Sequence, residues 1–365
     1  MGDAHRIGVV GLGVISRAYL DTLVGRDAVR VTAVADLDAS RSAAVAAELP
    51  GVRALSVEEL LNSPDVDTVL NLTVPAAHAE IALGAVTRGK NVYGEKPLAA
   101  ELADAQAVLE AAAKASVRVG CAPDTVLGTG VQTARAAVEA GAIGRPLFAS
   151  AVMITPGHER WHPQPDFYYA PGGGPLLDMG PYYLSSLVHL LGPVRAVIGA
   201  SSRLRSERVI GSGPRAGERI PVEVDSHVSG VLEHEGGALT TLTTSFDGVG
   251  TTAAPIEVHG ETGTLTLPDP NHFDGEVRLQ ELGGSDRRAL PPSAGYVGGA
   301  RGVGLLDFVA ADGGRPARAS GELALHVLET MTALLRSSAE GRRIELSTSV
   351  ERPAPVPLTP VEQWR

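Results

Sequence analysis

The chain has 365 residues, more than the roughly 100–200 of one usual domain, and so implies two. It is 44% hydrophobic and 20% charged, which excludes a disordered protein, and no apolar run reaches the ~20 residues that a membrane-spanning helix needs. A net charge of −11 without any Lys/Arg block argues against a nucleic-acid partner, and the single cysteine, Cys121, excludes an internal disulfide.

An apolar strand-like run begins almost at once, no signal-peptide pattern precedes it, and the expected location is the cytoplasm. From residue 5 to 121 short apolar runs (RIGVVGL, VTAVAD, VDTVLNLTV, NVYG, VRVGC) alternate with alanine-rich amphipathic segments at 14–25, 39–49, 77–88 and 100–115. That alternation predicts a parallel sheet covered by helices on both faces. Ser56 and Glu59 form an S-x-x-E capping box ahead of a short helix. Beyond about residue 123 the texture changes. Helices are expected at 127–141 and 175–191, with a Pro/His/aromatic loop at 156–173 between them. Runs at 194–204, 222–234, 238–247, 255–267 and 275–282 read as an antiparallel sheet, with 205–221 a loop. Helices near 302–312 and 320–340 and an extended proline-rich tail complete the chain. The expected domains are 1–122, 123–352 and a tail at 353–365.

The first strand runs into GLGVIS, Gly11-x-Gly13-x-x-Ser16, which opens a helix, and the second strand ends in Asp36, twenty residues beyond Ser16. Gly11 and Gly13 let backbone amides approach a pyrophosphate, whose charge the helix N-terminus favours, and Val14 and Ile15 belong to the same turn. Asp36 accepts hydrogen bonds from an adenosine ribose and repels a 2′-phosphate, which favours NAD over NADP, although Arg41 offsets part of that repulsion. The alternative is a surface turn followed by an ordinary strand-end acid.

Only three lysines occur. Lys90 reads as a solvated turn and Lys114 as a helical partner of Glu110. Lys96, in NVYGEKPLA, lies just past a strand at the carboxyl edge of the sheet, where open α/β folds bind ligands. Pro97 keeps it extended, and an ammonium can give up its proton where a guanidinium cannot, so a proton-handling role suits lysine. A chance surface lysine is the bland alternative.

GLGVIS, the strand-end AVAD, VPAAHAEIA, GEKPLA, GAIGRP and GGGPLLDMGPYY, in this order, resemble the Gfo/Idh/MocA oxidoreductases over essentially the whole chain. The resemblance implies an N-terminal Rossmann doubly wound parallel sheet and a C-terminal α+β domain with a large, mostly antiparallel open sheet. It also implies that Lys96 lies beside substrate and nicotinamide, that Glu95 and Pro97 shape the same turn, and that Thr73, Pro75 and His78 lie along the cofactor. In many members the second-domain stretch reads Asp-x-x-x-His-x-x-Asp; here it reads Asp178-x-x-x-Tyr182-x-x-Ser185. The i, i+4 spacing puts Asp178 and Tyr182 on one helix face, and the resemblance turns that face toward Lys96. A phenol beside an ammonium is a usable acid–base group. Tyr182 is otherwise a core aromatic like its neighbour Tyr183.

GHERWHP contains His158-Glu159-x-x-His162, formally a zinc-protease pattern, but the flanking prolines leave no room for the helix that motif requires, and no metal is expected. Trp161, His162 and Tyr168 in that loop suit a sugar's C–H faces and hydroxyls, and packing against the sheet is the alternative. Asp124 either binds a sugar hydroxyl or caps the helix near 127.

The leading expectation is an NAD-dependent dehydrogenase acting on a secondary hydroxyl of a sugar, sugar derivative or cyclic polyol, with Lys96, Asp178 and Tyr182 catalytic. The alternatives are an NAD-dependent glycosidase working through transient oxidation and a non-catalytic dinucleotide-sensing protein. A homodimer or homotetramer through the second-domain sheet is expected.

Overall fold

A computed structural model describes residues 4–311 and 316–364. The last residue of the helix expected at 302–312 and the last of the tail lie outside them. The chain forms two compact units, which interleave in sequence: Met1–Thr129 with Gly295–Leu325 and Val356–Arg365, and Gly130–Ala294 with His326–Pro355. The expected domains, 1–122, 123–352 and a tail at 353–365, are by contrast continuous in sequence.

The first unit alternates β1 (His5–Val10), α1 (Val14–Leu23), β2 (Val29–Ala35), α2 (Ala39–Glu48), β3 (Arg53–Ala54), α3 (Val57–Asn62), β4 (Thr68–Asn71), α4 (Pro75–Val86), β5 (Asn91–Gly94), α5 (Leu102–Ala115) and β6 (Val119–Cys121). Its six strands lie in the order β3-β2-β1-β4-β5-β6, every pair parallel. That is the doubly wound dinucleotide-binding order, with its switch point between β1 and β4. All four residues of β4 are buried, as a strand covered on both faces requires. The Ser56–Glu59 capping box starts α3 as expected, and Pro75 opens α4 at a position where its missing N–H costs nothing.

The second unit begins with α6 (Thr129–Glu139), β7 (Pro146–Ile154), α7 (Pro175–Leu191), β8 (Val194–Ser202), β9 (Glu207–Val209), β10 (Arg219–Pro221), β11 (His227–His234) and β12 (Leu239–Ser245). It continues with β13 (Ile256–Gly260), β14 (Gly263–Leu267), β15 (Val277–Glu281) and β16 (Arg288–Leu290). After α8 (Val303–Ala310) in the first unit, α9 (Gly321–Glu340) and β17 (Ile344–Glu345) follow. The nine-stranded sheet has the order β16-β15-β14-β13-β7-β12-β11-β8-β17, antiparallel except for β7 with β12.

Four expectations are corrected here. The central strand β7 lies in a stretch the apolar pattern passes over, because two of its inward residues are Ala149 and Ala151. The segment 205–221 holds the β9–β10 pair. The run 255–267 is the hairpin β13–β14. The tail, expected to be extended, carries a 3-10 turn at Val361–Gln363.

Helix α7 packs on β7, β11 and β12. Gly199 and Gly230 make room on the same face for Leu334 of α9. The opposite face presents Phe148, Ile198 and Leu239 as exposed apolar side chains, with the His259 ring stacked on Phe148 at 4.4 Å. No helix among the described residues is long and apolar enough to cross a membrane.

Candidate active site

The end of β1 turns sharply at Gly11, whose φ is +92°. A Cβ there would lie 2.6 Å from the carbonyl carbon of Leu72, so glycine is a requirement of the fold itself. Gly13 differs: an added Cβ would meet nothing within 4 Å. It caps α1 without a side-chain hydrogen bond, Val14 beside it is fully exposed, and Ile15 is half-buried. The amino end of α1 is thus open to an anion.

Asp36, at the end of β2, receives the Leu12 N–H at 2.7 Å on Oδ2 and the Asp38 N–H at 2.9 Å on Oδ1. Arg41 Nη1 stands 3.8 Å from Oδ1. A cavity of about 760 Å³ includes Leu12, Gly13, Val14 and Arg41. Its remainder runs between α1 and α2 to Val24 and Leu49, toward the amino edge of the sheet, so only the glycine end coincides with the candidate nucleotide site.

At the carboxyl edge of β4 and β5 the residues form one network. Thr73 Oγ1 donates to Asn71 Oδ1 at 2.6 Å, and Asn71 Nδ2 donates to His78 O at 3.0 Å. The His78 ring places Nδ1 2.6 Å from Pro97 O and Nε2 3.0 Å from Thr73 O, and the residue is 2% exposed. Its imidazole holds the loop after β4 against the turn after β5. Glu95 is likewise engaged within the protein. Tyr19 Oη donates to its Oε1 at 2.7 Å and the Lys96 N–H to its Oε2 at 3.1 Å. Burial pushes the Tyr19 phenol well above its ordinary value, so it remains a donor. The Lys96 backbone is therefore clamped on both sides, and its side chain is half-buried.

Lys90 is not a solvated turn residue. It is 8% exposed, and its ammonium donates to Ser63 O at 2.6 Å and Val66 O at 2.8 Å, with burial lowering its pKa. Asp124 is corrected as well. It is completely buried, and its Oδ2 accepts the N–H groups of Gly302 at 2.8 Å and Gly304 at 3.2 Å, with Arg301 3.6 Å away. Burial raises its pKa against the opposing pull of Arg301. It therefore holds the amino end of α8, and it does not cap the turn at Thr125–Leu127, which has no side-chain cap.

In the second unit Asp178 lies in the first turn of α7 and is partly exposed, whereas Tyr182 is 6% exposed and Tyr183 2%. The His158 turn is a single 3-10 turn, His158–Arg160, so His158 and His162 share no helix face. His158 instead places Nε2 3.1 Å from Asp178 Oδ2. Its ring packs on Phe246, Tyr168 and Trp161, with centroids 4.5, 4.8 and 5.3 Å away. Trp161 is 59% exposed, while His162 and Tyr168 are half-buried. Beneath them Glu159 receives the Tyr169 hydroxyl and Arg208 Nη1, and Arg208 also donates to Pro156 O at 3.1 Å and Asp247 Oδ1 at 2.6 Å. Gly157 is obligatory, because a Cβ there would collide with the Glu159 carboxylate and the Tyr169 hydroxyl. Tyr19, Asn71, His158 and Arg208 escape the sequence reading. Only His158 carried a signal, and its H-E-x-x-H pattern pointed to the wrong chemistry.

Residues 5–122 match the oxidoreductase family with an NAD-binding Rossmann fold, and residues 131–266 match the GFO/IDH/MocA C-terminal domain. The 1,5-anhydro-D-fructose reductase of Ensifer adhaerens is 30% identical, over 95% of this chain and 100% of that protein. Inositol 2-dehydrogenase 3 of Saccharopolyspora erythraea is 30% identical over 73% of each chain. Among solved structures, a levoglucosan dehydrogenase in complex with NADH and L-sorbose has the same fold, with a TM-score of 0.78 at 20% identity over 95% of this chain and all of that one. The chain belongs to the Gfo/Idh/MocA family of oxidoreductases.

Proposed function

We propose that this oxidoreductase is an NAD-dependent dehydrogenase acting on a secondary hydroxyl of a sugar, sugar derivative or cyclic polyol. The observation that carries the reading is Lys96, clamped through Glu95 and the His78–Pro97 contact at the carboxyl edge of a doubly wound sheet. The substrate class is supported by the relatives named for 1,5-anhydro-D-fructose and inositol.

The residues present fit a dinucleotide. Gly13 has open space where a side chain would stand, the amino end of α1 is uncapped, and the Asp36 carboxylate lies at the end of β2. Gly11, Gly13, Val14 and Ile15 would hold the pyrophosphate and Asp36 the adenosine ribose, and Thr73 and Pro75 would border the remainder. Asp36 disfavours a 2′-phosphate, hence NAD. When bound, the nicotinamide supplies the hydride acceptor. Lys96 takes the proton of the substrate hydroxyl while its carbon–hydrogen bond gives up a hydride, leaving a ketone; Tyr182 assists and Asp178 orients the hydroxyl. Trp161, His162 and Tyr168 bind the sugar. The outer face of the nine-stranded sheet, with Phe148, Ile198 and Leu239, joins copies of the chain into a homodimer or homotetramer.

The test is a panel of myo-inositol, levoglucosan, free sugars and glycosides with NAD, and of 1,5-anhydro-D-fructose with NADH. Net change of NADH in proportion to product supports the reading; aglycone release without net change of NADH contradicts it.

A further inference from the structure

We propose that His158 is a positioning residue for Asp178, an inference that rests on the reading of Asp178 as a substrate-orienting carboxylate. A carboxylate only accepts hydrogen bonds, so the Nε2 that lies 3.1 Å from Asp178 Oδ2 carries the proton. The bond joins side chains that are 11% and 17% exposed, an environment that strengthens a charge-assisted contact.

The imidazole is itself built into place. Phe246, Tyr168 and Trp161 surround its ring. The turn that carries it is anchored one residue on, where Glu159 meets the Tyr169 hydroxyl and the Arg208 guanidinium. Arg208 also binds Pro156 O, two residues before His158, so the turn is pinned on both sides. A side chain held this firmly has no packing need for a polar ring edge, and phenylalanine would fill the same aromatic nest. What histidine adds is an N–H directed at Asp178, which restrains that carboxylate about its χ2 and helps fix the plane it presents to a substrate hydroxyl. Arg208 and Glu159 thereby act on the reaction through His158 without touching the substrate.

The experiment compares wild type, His158→Phe, His158→Gln, Asp178→Asn and the double variant His158→Phe/Asp178→Asn in the panel above, with NADH affinity measured separately by direct titration. H158F is expected to lower kcat about a hundredfold, the loss typical of a misplaced reacting group, with little change in KM and none in NADH affinity. Glutamine, which retains an N–H donor, is expected to restore most of that rate. The double variant is expected to be no slower than Asp178→Asn alone, because the histidine acts only through the carboxylate.

Full kcat in H158F beside an inactive Asp178→Asn overturns the role of His158 and leaves the reading of Asp178 standing. Full turnover by Asp178→Asn, or no turnover of any compound by wild type, overturns that reading instead. Equal losses in the phenylalanine and glutamine variants also overturn the proposal, since they trace to the ring and not to its N–H. Should H158F fail to fold, the glutamine variant decides: most of the wild-type kcat supports the proposal, and a hundredfold loss with unchanged NADH affinity contradicts it.

Discussion

Gly11 and Leu72 approach so closely that a methyl group on the glycine would stand 2.6 Å from the Leu72 carbonyl carbon, whereas the same methyl on Gly13 would meet nothing within 4 Å. The first glycine serves the fold and the second leaves space for a ligand. Gly11→Ala is therefore expected to destabilise the protein by several kcal/mol, on the order of a core overpacking combined with a strained positive φ. Gly13→Ala is expected to keep its unfolding midpoint and to bind NADH at least about tenfold more weakly, the cost of ~1.4 kcal/mol of lost approach. Thermal unfolding and NADH titration of the two variants check this.

Asp36 binds two backbone amides and has Arg41 3.8 Å away. Its replacement by alanine removes both a ribose acceptor and the repulsion of a 2′-phosphate, and frees Arg41 to meet that phosphate. NADH affinity should fall about tenfold, as for loss of one charged hydrogen bond, and the preference over NADPH should narrow or invert. An unchanged ratio of the two affinities would count against Asp36 as the discriminator.

Arg208 lies between Glu159 and Asp247, with its side chain 2% exposed. Methionine at 208 keeps the length and strands the carboxylates. The expected loss is about 3–5 kcal/mol, as when one partner of a buried ion pair is removed. Urea unfolding reads it, and a loss below about 1 kcal/mol would show that solvent already screens the pair.

His234 is buried, with Nδ1 2.8 Å from Gly192 O and Nε2 2.9 Å from Thr240 Oγ1, and burial lowers its pKa from 6.5 to about 4. Between those values the unfolded chain binds a proton that the folded chain does not. This contribution is whole above pH 6.5 and is lost as pH falls toward 4, up to about 3 kcal/mol. His326, whose Nε2 accepts the Val194 N–H, is shifted in the same direction by burial and adds with the same sign. His234→Gln should flatten the acid limb of a stability–pH curve, and an unchanged slope would contradict the assignment.

The nucleotide half of the candidate site is legible in the sequence because its parts are local. A strand, two glycines, a helix and Asp36 follow one another within about thirty residues, and the alternation of strands and helices leaves one parallel topology. The rest depends on contacts that spacing does not carry. Asp124 finds its partners 178 and 180 residues away, at Gly302 and Gly304. Lys90 looks like a surface turn until two carbonyls from the α3–β4 connection are seen to close over it. Strand β7 hides behind its alanines, and Arg208 sits in a polar stretch with no periodicity. His158 and Asp178, twenty residues apart, belong to a turn pinned by Glu159, Tyr169 and Arg208 and to a helix packed on the sheet, contacts that spacing alone does not reveal.

The most direct test of the central claim, that Lys96 takes the proton in an NAD-dependent oxidation of a secondary hydroxyl, is the turnover of Lys96→Met on the sugar and polyol panel, beside its NADH affinity. The account predicts that the variant binds NADH as wild type does while kcat falls by a factor of about 10²–10⁴, the range for loss of a general acid–base group. Wild-type turnover by Lys96→Met would contradict it.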